Sequence, residues 1–349
     1  MKIQPRPIAV TMGDPSGISG EITLKAWRAK ERTGLPVFFV IDDPDRLARL
    51  SERLGWDIKV VQIENPAEAG EVFSLALPVL PLELPKPPIP GQPQLENAVS
   101  VIASIERAVE WVQAGIASAV VTNPIHKKVL YDSGFKYPGH TEFLASLAGC
   151  SDDPVMLLAC EQLKVVPVTV HQALSHAITS LTRERVFQVV MTTNKALRQD
   201  FAIDRPHIMV AALNPHAGEG GTMGLEEIEI IAPAVEDLKR SGYSVTGPTP
   251  ADTLFHDRAR AAYDAVVCMY HDQALIPLKT IDFRSSVNVT LGLPFVRTSP
   301  DHGTAFEIAG TGVADESSLV AALKVASHIF MNRIRSKAIP DDEITGRFN

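Results

Sequence analysis

The sequence predicts an α/β protein built around a largely parallel sheet. Two observations support this class: short apolar, β-branched runs recur along the chain, and longer segments with helical periodicity lie between them. Strands that alternate with helices are typical of βα units, and continuously apolar strands are typical of sheets covered on both faces. The strand-like runs are residues 8–11, 37–41, 58–63, 119–122, 155–159, 165–170, 208–213 and 265–270.

The length of the chain, 349 residues, suggests about two domains.

Besides the strands, the sequence contains segments with helical periodicity and one irregular segment rich in proline. Residues 77–93 are rich in proline and lack periodicity, so we expect an irregular surface segment there. The segments with helical periodicity are residues 21–30, 97–114, 183–198, 226–240 and 317–335.

Composition excludes several classes of protein. The net charge of -8 argues against a protein that binds duplex nucleic acid, because such a protein needs a basic surface. Cys150, Cys160 and Cys268 form no CxxC pair and lie in apolar runs, which is typical of buried free thiols in a reducing compartment. No signal-peptide core is evident, and no run approaches the ~20 apolar residues that span a bilayer. We therefore expect a cytoplasmic protein that does not bind membranes.

Three strand-like runs end in a histidine, namely His171, His216 and His271. Adjacent parallel strands bring their carboxyl ends to one edge of a sheet, where α/β proteins bind ligands. Three imidazoles with an open fourth position are typical of a catalytic zinc site, although imidazole also suits cobalt, nickel or iron. Asp272 and Glu219 are candidates to orient these ligands through hydrogen bonds. The alternative is that each histidine is an ordinary loop residue with satisfied hydrogen bonds.

Two groups of residues are candidates for binding an anionic substrate. His140 and Thr141 precede an apolar helical run, and Thr141 is predicted to cap that helix, whose free N–H groups can bind an anion. Simple capping without a ligand is the alternative. The second group is Lys279, Asn288 and Arg297. Because Arg297 lies in an apolar stretch, it needs a partner, either a structural carboxylate or a substrate phosphate or carboxylate. Lys127 and Lys128 are interpreted as solvated.

The usual dinucleotide-binding fingerprint is absent. The residues 13–17 after the first strand lack the GxGxxG spacing and contain a proline. The glycine-containing loop of residues 299–310 is a better candidate for binding a cofactor, through His302, Gly303, Thr304 and Ala305. It resembles the loop with which isocitrate and isopropylmalate dehydrogenases hold their nicotinamide dinucleotide. The alternative is an ordinary loop that leads into a helix.

Together, these motifs resemble one family, the 4-hydroxythreonine-4-phosphate dehydrogenases of vitamin B6 biosynthesis. They occur in the family's order from about Val10 to Gly310, so the resemblance covers nearly the whole chain. One departure is Ser19-Gly20-Glu21, where the family usually has Gly-Pro-Glu. The matching strings are TMGDPSGI, VTNPIHK, GHTEFLA, VHQALS, NPHAGEGG, GPTPADTLF, MYHDQALIPLK and VNVTLGLPFVRTSPDHGTAFEIAG.

The resemblance implies a fold and a set of site residues. The fold is that of isocitrate dehydrogenase, with two α/β/α domains, a cleft between them and a homodimer that shares its active sites. We place the first domain at residues 1–130 plus 300–349 and the second at 131–299. The implied metal ligands are His171, His216 and His271, and the implied substrate-binding residues are His140, Thr141, Lys279, Asn288 and Arg297.

The resemblance also implies a reaction. The enzyme is expected to use NAD or NADP and a divalent metal (Zn, Mg or Co) to oxidise and decarboxylate 4-phosphooxy-L-threonine to 3-amino-2-oxopropyl phosphate. His140 and Asp272 are the candidate proton-transfer residues, with Asp252 as a further one. A related subgroup acts on phosphorylated threonate or erythronate, which leaves those substrates open. More distant alternatives are a non-redox, metal-dependent sugar-phosphate enzyme and a protein that only binds a phosphometabolite.

Overall fold

The computed structural model describes residues 6–150 and 153–338, which form two compact units. Within the described residues, unit 1 comprises residues up to 154 together with 293–330, and unit 2 comprises 155–292 and 331–338. These bounds differ from the predicted domain limits. Residues 131–150 and 293–299 belong to unit 1, and the end of the last helix belongs to unit 2.

The described residues alternate between strands and helices for most of their length. The strands are β1 (Ile8–Thr11), β2 (Phe38–Asp42), β3 (Val60–Gln62), β4 (Leu77–Pro81), β5 (Val120–Val121), β6 (Val155–Ala159), β7 (Lys164–Pro167), β8 (Ile208–Ala211), β9 (Val245–Thr249), β10 (Ala265–Cys268), β11 (Val287–Leu291) and β12 (Arg297–Pro300). The α-helices are α1 (Ser19–Arg28), α2 (Lys30–Thr33), α3 (Pro44–Arg53), α4 (Ala69–Val72), α5 (Ala98–Gln113), α6 (Lys127–Asp132), α7 (His140–Ala148), α8 (Leu174–Thr179), α9 (Arg183–Gln199), α10 (Ala232–Arg240), α11 (Asp257–Arg260), α12 (His271–Ile281) and α13 (Ser317–Ala338).

Unit 1 contains a parallel sheet in the order β3-β4-β2-β1-β5-β12. Apolar residues on the strands pack against helices α5 and α7, as in the cluster of Phe39, Ile41, Ile105, Val120 and Phe143. One prediction was wrong here: the first five residues of the proline-rich segment form β4, which is buried between β2 and β3. The prolines obscured the strand pattern in the sequence, although the apolar side chains of this strand are buried in the core.

Unit 2 contains strands in the order β11-β6-β7-β10-β8-β9. The four strands from β7 to β9 are mutually parallel, whereas β6 is antiparallel to both of its neighbours. The antiparallel pairing of β6 with β7 follows from their connection, a hairpin in which the N–H of Cys160 donates to the carbonyl of Leu163 at 2.9 Å. So short a link cannot make the crossover that a parallel pair needs. The fold is therefore mixed α/β.

No helix in the described part of the chain is both long and apolar enough to cross a membrane.

Candidate active site

The three strand-end histidines follow neighbouring strands of unit 2. Strand β10 is parallel to β7 on one side and to β8 on the other, and His171, His216 and His271 come after β7, β8 and β10 respectively. Because paired strands lie about 4.8 Å apart, the carboxyl ends of the three strands form one short edge. We call these three residues the histidine edge. The prediction that these three strands are neighbours in the sheet is confirmed.

Hydrogen bonds beyond the regular pairing hold these strand ends in place. The hydroxyl of Thr169 donates to the carbonyl of Met269 at 2.8 Å, which ties the end of β7 to that of β10. Gln273 is buried, accepts from the N–H of Met269 and donates to the carbonyl of Ala212, both at 2.7 Å. It therefore joins the ends of β10 and β8. Sequence reasoning missed Gln273, although its place two residues after His271 was a signal.

Two members of the histidine edge lie side by side. The ring centroids of His171 and His271 are 5.5 Å apart, with 47° between the ring planes. Nδ1 of His271 lies 2.9 Å from Oδ1 of Asp272. A carboxylate only accepts hydrogen bonds, so Nδ1 donates and Nε2 carries the lone pair of the neutral ring. This is the carboxylate contact that commonly orients metal-binding histidines.

His171 and His216 also share an unusual backbone conformation. Their φ angles are 43° and 53°, in the left-handed region that residues other than glycine rarely adopt. Such conformations persist where the surrounding structure imposes them, and they cluster at functional sites. The donor set and the strand order suit a divalent metal. The described residues nevertheless contain no group of three or more His, Cys, Asp or Glu side chains arranged to hold an ion, so the three-ligand assignment stays a prediction.

In unit 1, His140 is the first residue of helix α7. The N-cap is Gly139 and no side chain caps the helix, so the prediction that Thr141 is the cap was wrong. Thr141 lies in the first turn instead. The Nε2 atom of His140 is buried and has no hydrogen-bond partner in the described structure. The pKa of His140 is held well below its ordinary value of 6.5 by burial, and then by the charges of Arg297 and Lys127.

Arg297, the first residue of β12, is only 3% exposed. Its Nη2 donates to the hydroxyl of Thr122 at 2.7 Å. Burial lowers the pKa of Arg297 to about 10, and the Glu142 carboxylate opposes this shift. Glu142 is a nearby carboxylate, and a substrate anion would add the compensation that a buried guanidinium favours.

The two lysines that were interpreted as solvated differ. Both are exposed, as that interpretation requires, and Lys128 forms a surface ion pair with Asp132 at 2.7 Å. The charge of the equally exposed Lys127 additionally lowers the pKa of His140, and a methyl group at Gly139 would lie 3.5 Å from Nζ of Lys127. Sequence reasoning missed this role, although Lys127 follows the carboxyl end of β5. We call Lys127, His140 and Arg297 the anion group.

Two further predicted substrate residues lie in unit 2. Lys279 is in the last turn of α12, with its Nζ 5.6 Å from the ring centroid of Phe283. Asn288 lies in β11 opposite Leu158. Its Oδ1 is buried without a hydrogen-bond partner in the described structure, which is costly unless a ligand or water supplies a donor. Asp252, by contrast, is in a short 3-10 turn at Ala251–Thr253, and no contact of the described structure gives it a chemical role.

The predicted cofactor loop packs against the loop of residues 13–17. The carbonyl of Thr304 accepts from the N–H of Ile18 at 3.0 Å, and a methyl group at Gly17 would lie 2.7 Å from that carbonyl oxygen. Ala305 has a φ of 43°. Glu21, which sequence reasoning missed, accepts from the N–H groups of Gly310 and Gly312 and so fastens the far end of the loop.

His302 and Gly303 complete the predicted cofactor contacts. Nδ1 of His302 lies 3.0 Å from the carbonyl oxygen of Gly303, and its Nε2 is buried without a partner in the described structure. A carbonyl oxygen accepts, so Nδ1 donates and Nε2 is left as an acceptor. The loop thus has an unmet acceptor, which a hydroxyl group or water can satisfy.

The chain is similar to known proteins over most of its length. Residues 35–326 match the family described as "Pyridoxal phosphate biosynthetic protein PdxA". A 4-hydroxythreonine-4-phosphate dehydrogenase from Caulobacter vibrioides is 50% identical over 333 residues, which cover 94% of this chain and 98% of the relative. One from Methylorubrum populi is 52% identical over 330 residues, covering 93% and 94%.

A solved structure agrees with these sequence comparisons. The crystal structure of 4-hydroxythreonine-4-phosphate dehydrogenase from Klebsiella pneumoniae matches with a TM-score of 0.83 and 39% identity, and the match covers 93% of this chain and 99% of that one. The resemblance predicted from the sequence motifs is thereby confirmed. This chain belongs to the PdxA family of pyridoxal phosphate biosynthetic proteins.

Proposed function

We propose that this protein is a 4-hydroxythreonine-4-phosphate dehydrogenase that depends on a divalent metal and on NAD or NADP. The net reaction converts 4-phosphooxy-L-threonine and the oxidised nicotinamide to 3-amino-2-oxopropyl phosphate, carbon dioxide and the reduced nicotinamide. Family membership supports the dehydrogenase activity and the substrate. The observation that carries the metal dependence is the pair of rings of His171 and His271, 5.5 Å apart at adjacent strand ends.

In this proposal the histidine edge holds the metal, with Zn, Mg or Co as the candidates. Asp272 holds Nδ1 of His271, which leaves Nε2 as the ligand atom. A divalent cation bound there supplies Lewis acidity, which lowers the pKa of a substrate hydroxyl and stabilises the negative charge that develops when carbon dioxide leaves. Asp272 thus acts through His271, and its earlier interpretation as a proton-transfer residue stays a prediction.

The anion group binds the negative ends of the substrate. Arg297 presents a planar fork of N–H donors that suits a phosphate or carboxylate. The first turn of α7, with Thr141 and free backbone N–H groups, adds donors. His140 is held neutral by burial and by its cationic neighbours, so its ring offers one N–H donor and one acceptor to the substrate. In unit 2, the proposal assigns substrate binding to Lys279 and Asn288.

The cofactor contacts are proposed for residues His302, Gly303, Thr304 and Ala305. Glu21 and the loop of residues 13–17 hold this segment in place. The unmet acceptor of His302 suits a hydroxyl of the cofactor ribose. We also propose that the protein acts as a homodimer with shared sites, which sedimentation of the purified protein would test.

A kinetic assay tests the proposal directly. Purified, metal-stripped protein is given 4-phosphooxy-threonine with NAD or NADP and each metal in turn, and reduced nicotinamide is followed by its absorbance. We expect turnover that needs both the metal and the phosphate of the substrate. Phosphorylated threonate and erythronate are assayed in parallel, since preference for either would reassign the substrate. An absence of nicotinamide reduction with all of these substrates would refute the proposal.

A further inference from the structure

The loop after β8 contains a rare backbone conformation. Five consecutive residues, from His216 to Gly220, have positive φ angles between 45° and 77°. Three of the five, His216, Ala217 and Glu219, carry side chains. L-residues visit this region singly, and a continuous left-handed turn is unfavourable for them. Some other part of unit 2 must therefore impose this turn, which we call the left-handed turn.

Glu227 makes the contacts that anchor the start of the turn. This carboxylate is only 3% exposed. Its Oε1 accepts from the backbone N–H groups of Leu213 and Asn214, at 2.8 and 2.7 Å. Its Oε2 accepts from the side-chain amide of Asn214 at 2.9 Å. Both carboxylate oxygens are thus used to fix the two residues that lead from β8 into the turn, and charge-assisted bonds of this kind are strong.

Glu227 also closes against the middle of the turn. A methyl group at Gly218 would lie 2.8 Å from Oε2 of Glu227, so Glu227 occupies the space that a side chain at Gly218 would need. Glu227 is the first residue of a π-helical turn at Glu227–Ile231. Turns of this type are rare in proteins, and those that occur are often found at functional sites. The same side chain therefore contacts the turn at its start and at its centre.

We propose that Glu227 is a positioning residue: it holds the left-handed turn so that His216 is presented at the end of β8 before any metal binds. This inference rests on the proposed function, in which His216 is a metal ligand. In this arrangement both oxygens of Glu227 accept hydrogen bonds from the residues that lead into the turn. Its effect on the metal passes through the backbone of the turn.

The first test compares Glu227→Gln with Glu229→Gln. Both changes remove one negative charge from the same π-helical turn, but Glu229 is exposed and Glu227 is buried. Two quantities are measured on the full-length protein: hydrogen exchange of the amides of residues 213–221 without metal, and the affinity for Zn²⁺. We expect Glu227→Gln to speed exchange at least tenfold and to weaken Zn²⁺ binding about 10- to 100-fold, as loss of a ligand-orienting contact does. Glu229→Gln should change neither.

A second pair of variants keeps Glu227 and disturbs its contact from the other side. Gly218 and Gly220 have similar φ angles, 77° and 65°, so alanine meets similar backbone strain at both. Only at Gly218 does the added methyl group meet Glu227, since nothing lies within 4 Å at Gly220. We expect Gly218→Ala to reproduce both effects and Gly220→Ala to produce much smaller ones. This pair decides the question if Glu227→Gln does not fold.

His216→Ala separates this inference from the function on which it rests. If His216→Ala leaves Zn²⁺ affinity unchanged, the ligand assignment fails, and the exchange data alone decide whether Glu227 holds the turn. If His216→Ala weakens Zn²⁺ binding, the inference predicts that both readouts change in Glu227→Gln and Gly218→Ala. Unchanged exchange, or unchanged affinity, in the folded variants would overturn it.

Discussion

The histidine edge of unit 2 and the anion group of unit 1 are built in opposite ways. In the histidine edge, the side chains of His171 and His216 are exposed. Their positions are set by a locally left-handed backbone and by hydrogen bonds between the strand ends. In the anion group, the precision lies in burial, which lowers the pKa of both His140 and Arg297. In the proposed function, the first arrangement offers lone pairs to a cation and the second offers N–H donors to an anion.

This contrast teaches that charge alone does not identify a binding residue. Lys127 and Lys128 are adjacent and both exposed, yet only Lys127 acts on the buried imidazole of His140. Likewise, Asp272 and Glu227 are both acidic residues near strand-end histidines. Asp272 contacts an imidazole directly, whereas Glu227 accepts hydrogen bonds from the backbone and the side-chain amide of the preceding loop.

The largest expected effect comes from the histidine edge. His271→Ala should abolish turnover and weaken binding of Zn²⁺ by more than about 100-fold, because it removes a ligand and not merely its orienting contact. Turnover and metal titration of the purified variant check this. His176→Ala, in the nearby helix α8 and exposed, is the matched control and should keep both properties. Normal metal affinity in His271→Ala would break the contrast between the two sites.

Arg297→Met should raise KM for the phosphorylated substrate by about 30-fold or more, because truncating one side of a buried, charge-assisted pair costs about 2–5 kcal/mol. Arg297→Lys keeps the charge but loses the fork, so an intermediate KM is expected. Steady-state kinetics with the phosphorylated and the unphosphorylated substrate provide the measurement. Equal activity of the wild-type protein on both substrates would remove the basis of the anion group.

Lys127→Ala should raise KM by about threefold to tenfold, less than Arg297→Met, because an exposed cation is screened by solvent and salt. The effect should shrink as ionic strength rises. Lys128→Ala removes the neighbouring charge and an exposed ion pair, so it should leave KM nearly unchanged. Equal effects of the two substitutions would show that Lys127 is as solvated as the sequence suggested.

The smallest expected effect concerns stability against acid. Because the pKa of His140 in the folded protein lies below its ordinary value of 6.5, the unfolded chain binds more protons in the window just below that value. Stability should therefore fall as the pH drops through this window, and recover as it rises. His140→Gln should flatten that dependence in urea unfolding. An identical slope in the wild type and His140→Gln would contradict the buried, neutral imidazole.

The sequence by itself determined the fold class, the family and the identity of most candidate residues. Apolar runs predicted the strands, because a strand that is covered on both faces must be apolar. Histidines were recognised as candidates because they follow β7, β8 and β10, at the edge of the sheet where ligands bind. The family motifs then assigned roles to those residues. Each of these signals lies within a short stretch of sequence, so it can be recognised without knowledge of the tertiary contacts.

The tertiary structure decided what depends on neighbours that are distant in the chain. Burial in the core made Leu77–Pro81 a strand despite its prolines, and a short hairpin made β6 antiparallel. Helix α7 begins one residue before Thr141, which therefore does not cap it. Lys127 owes its role to the imidazole of His140, 13 residues further along the chain, and Glu227 owes its role to Leu213 and Asn214, which lie 14 and 13 residues before it. Electrostatic coupling and backbone strain are properties of distance and burial, and a linear pattern of residues does not encode them.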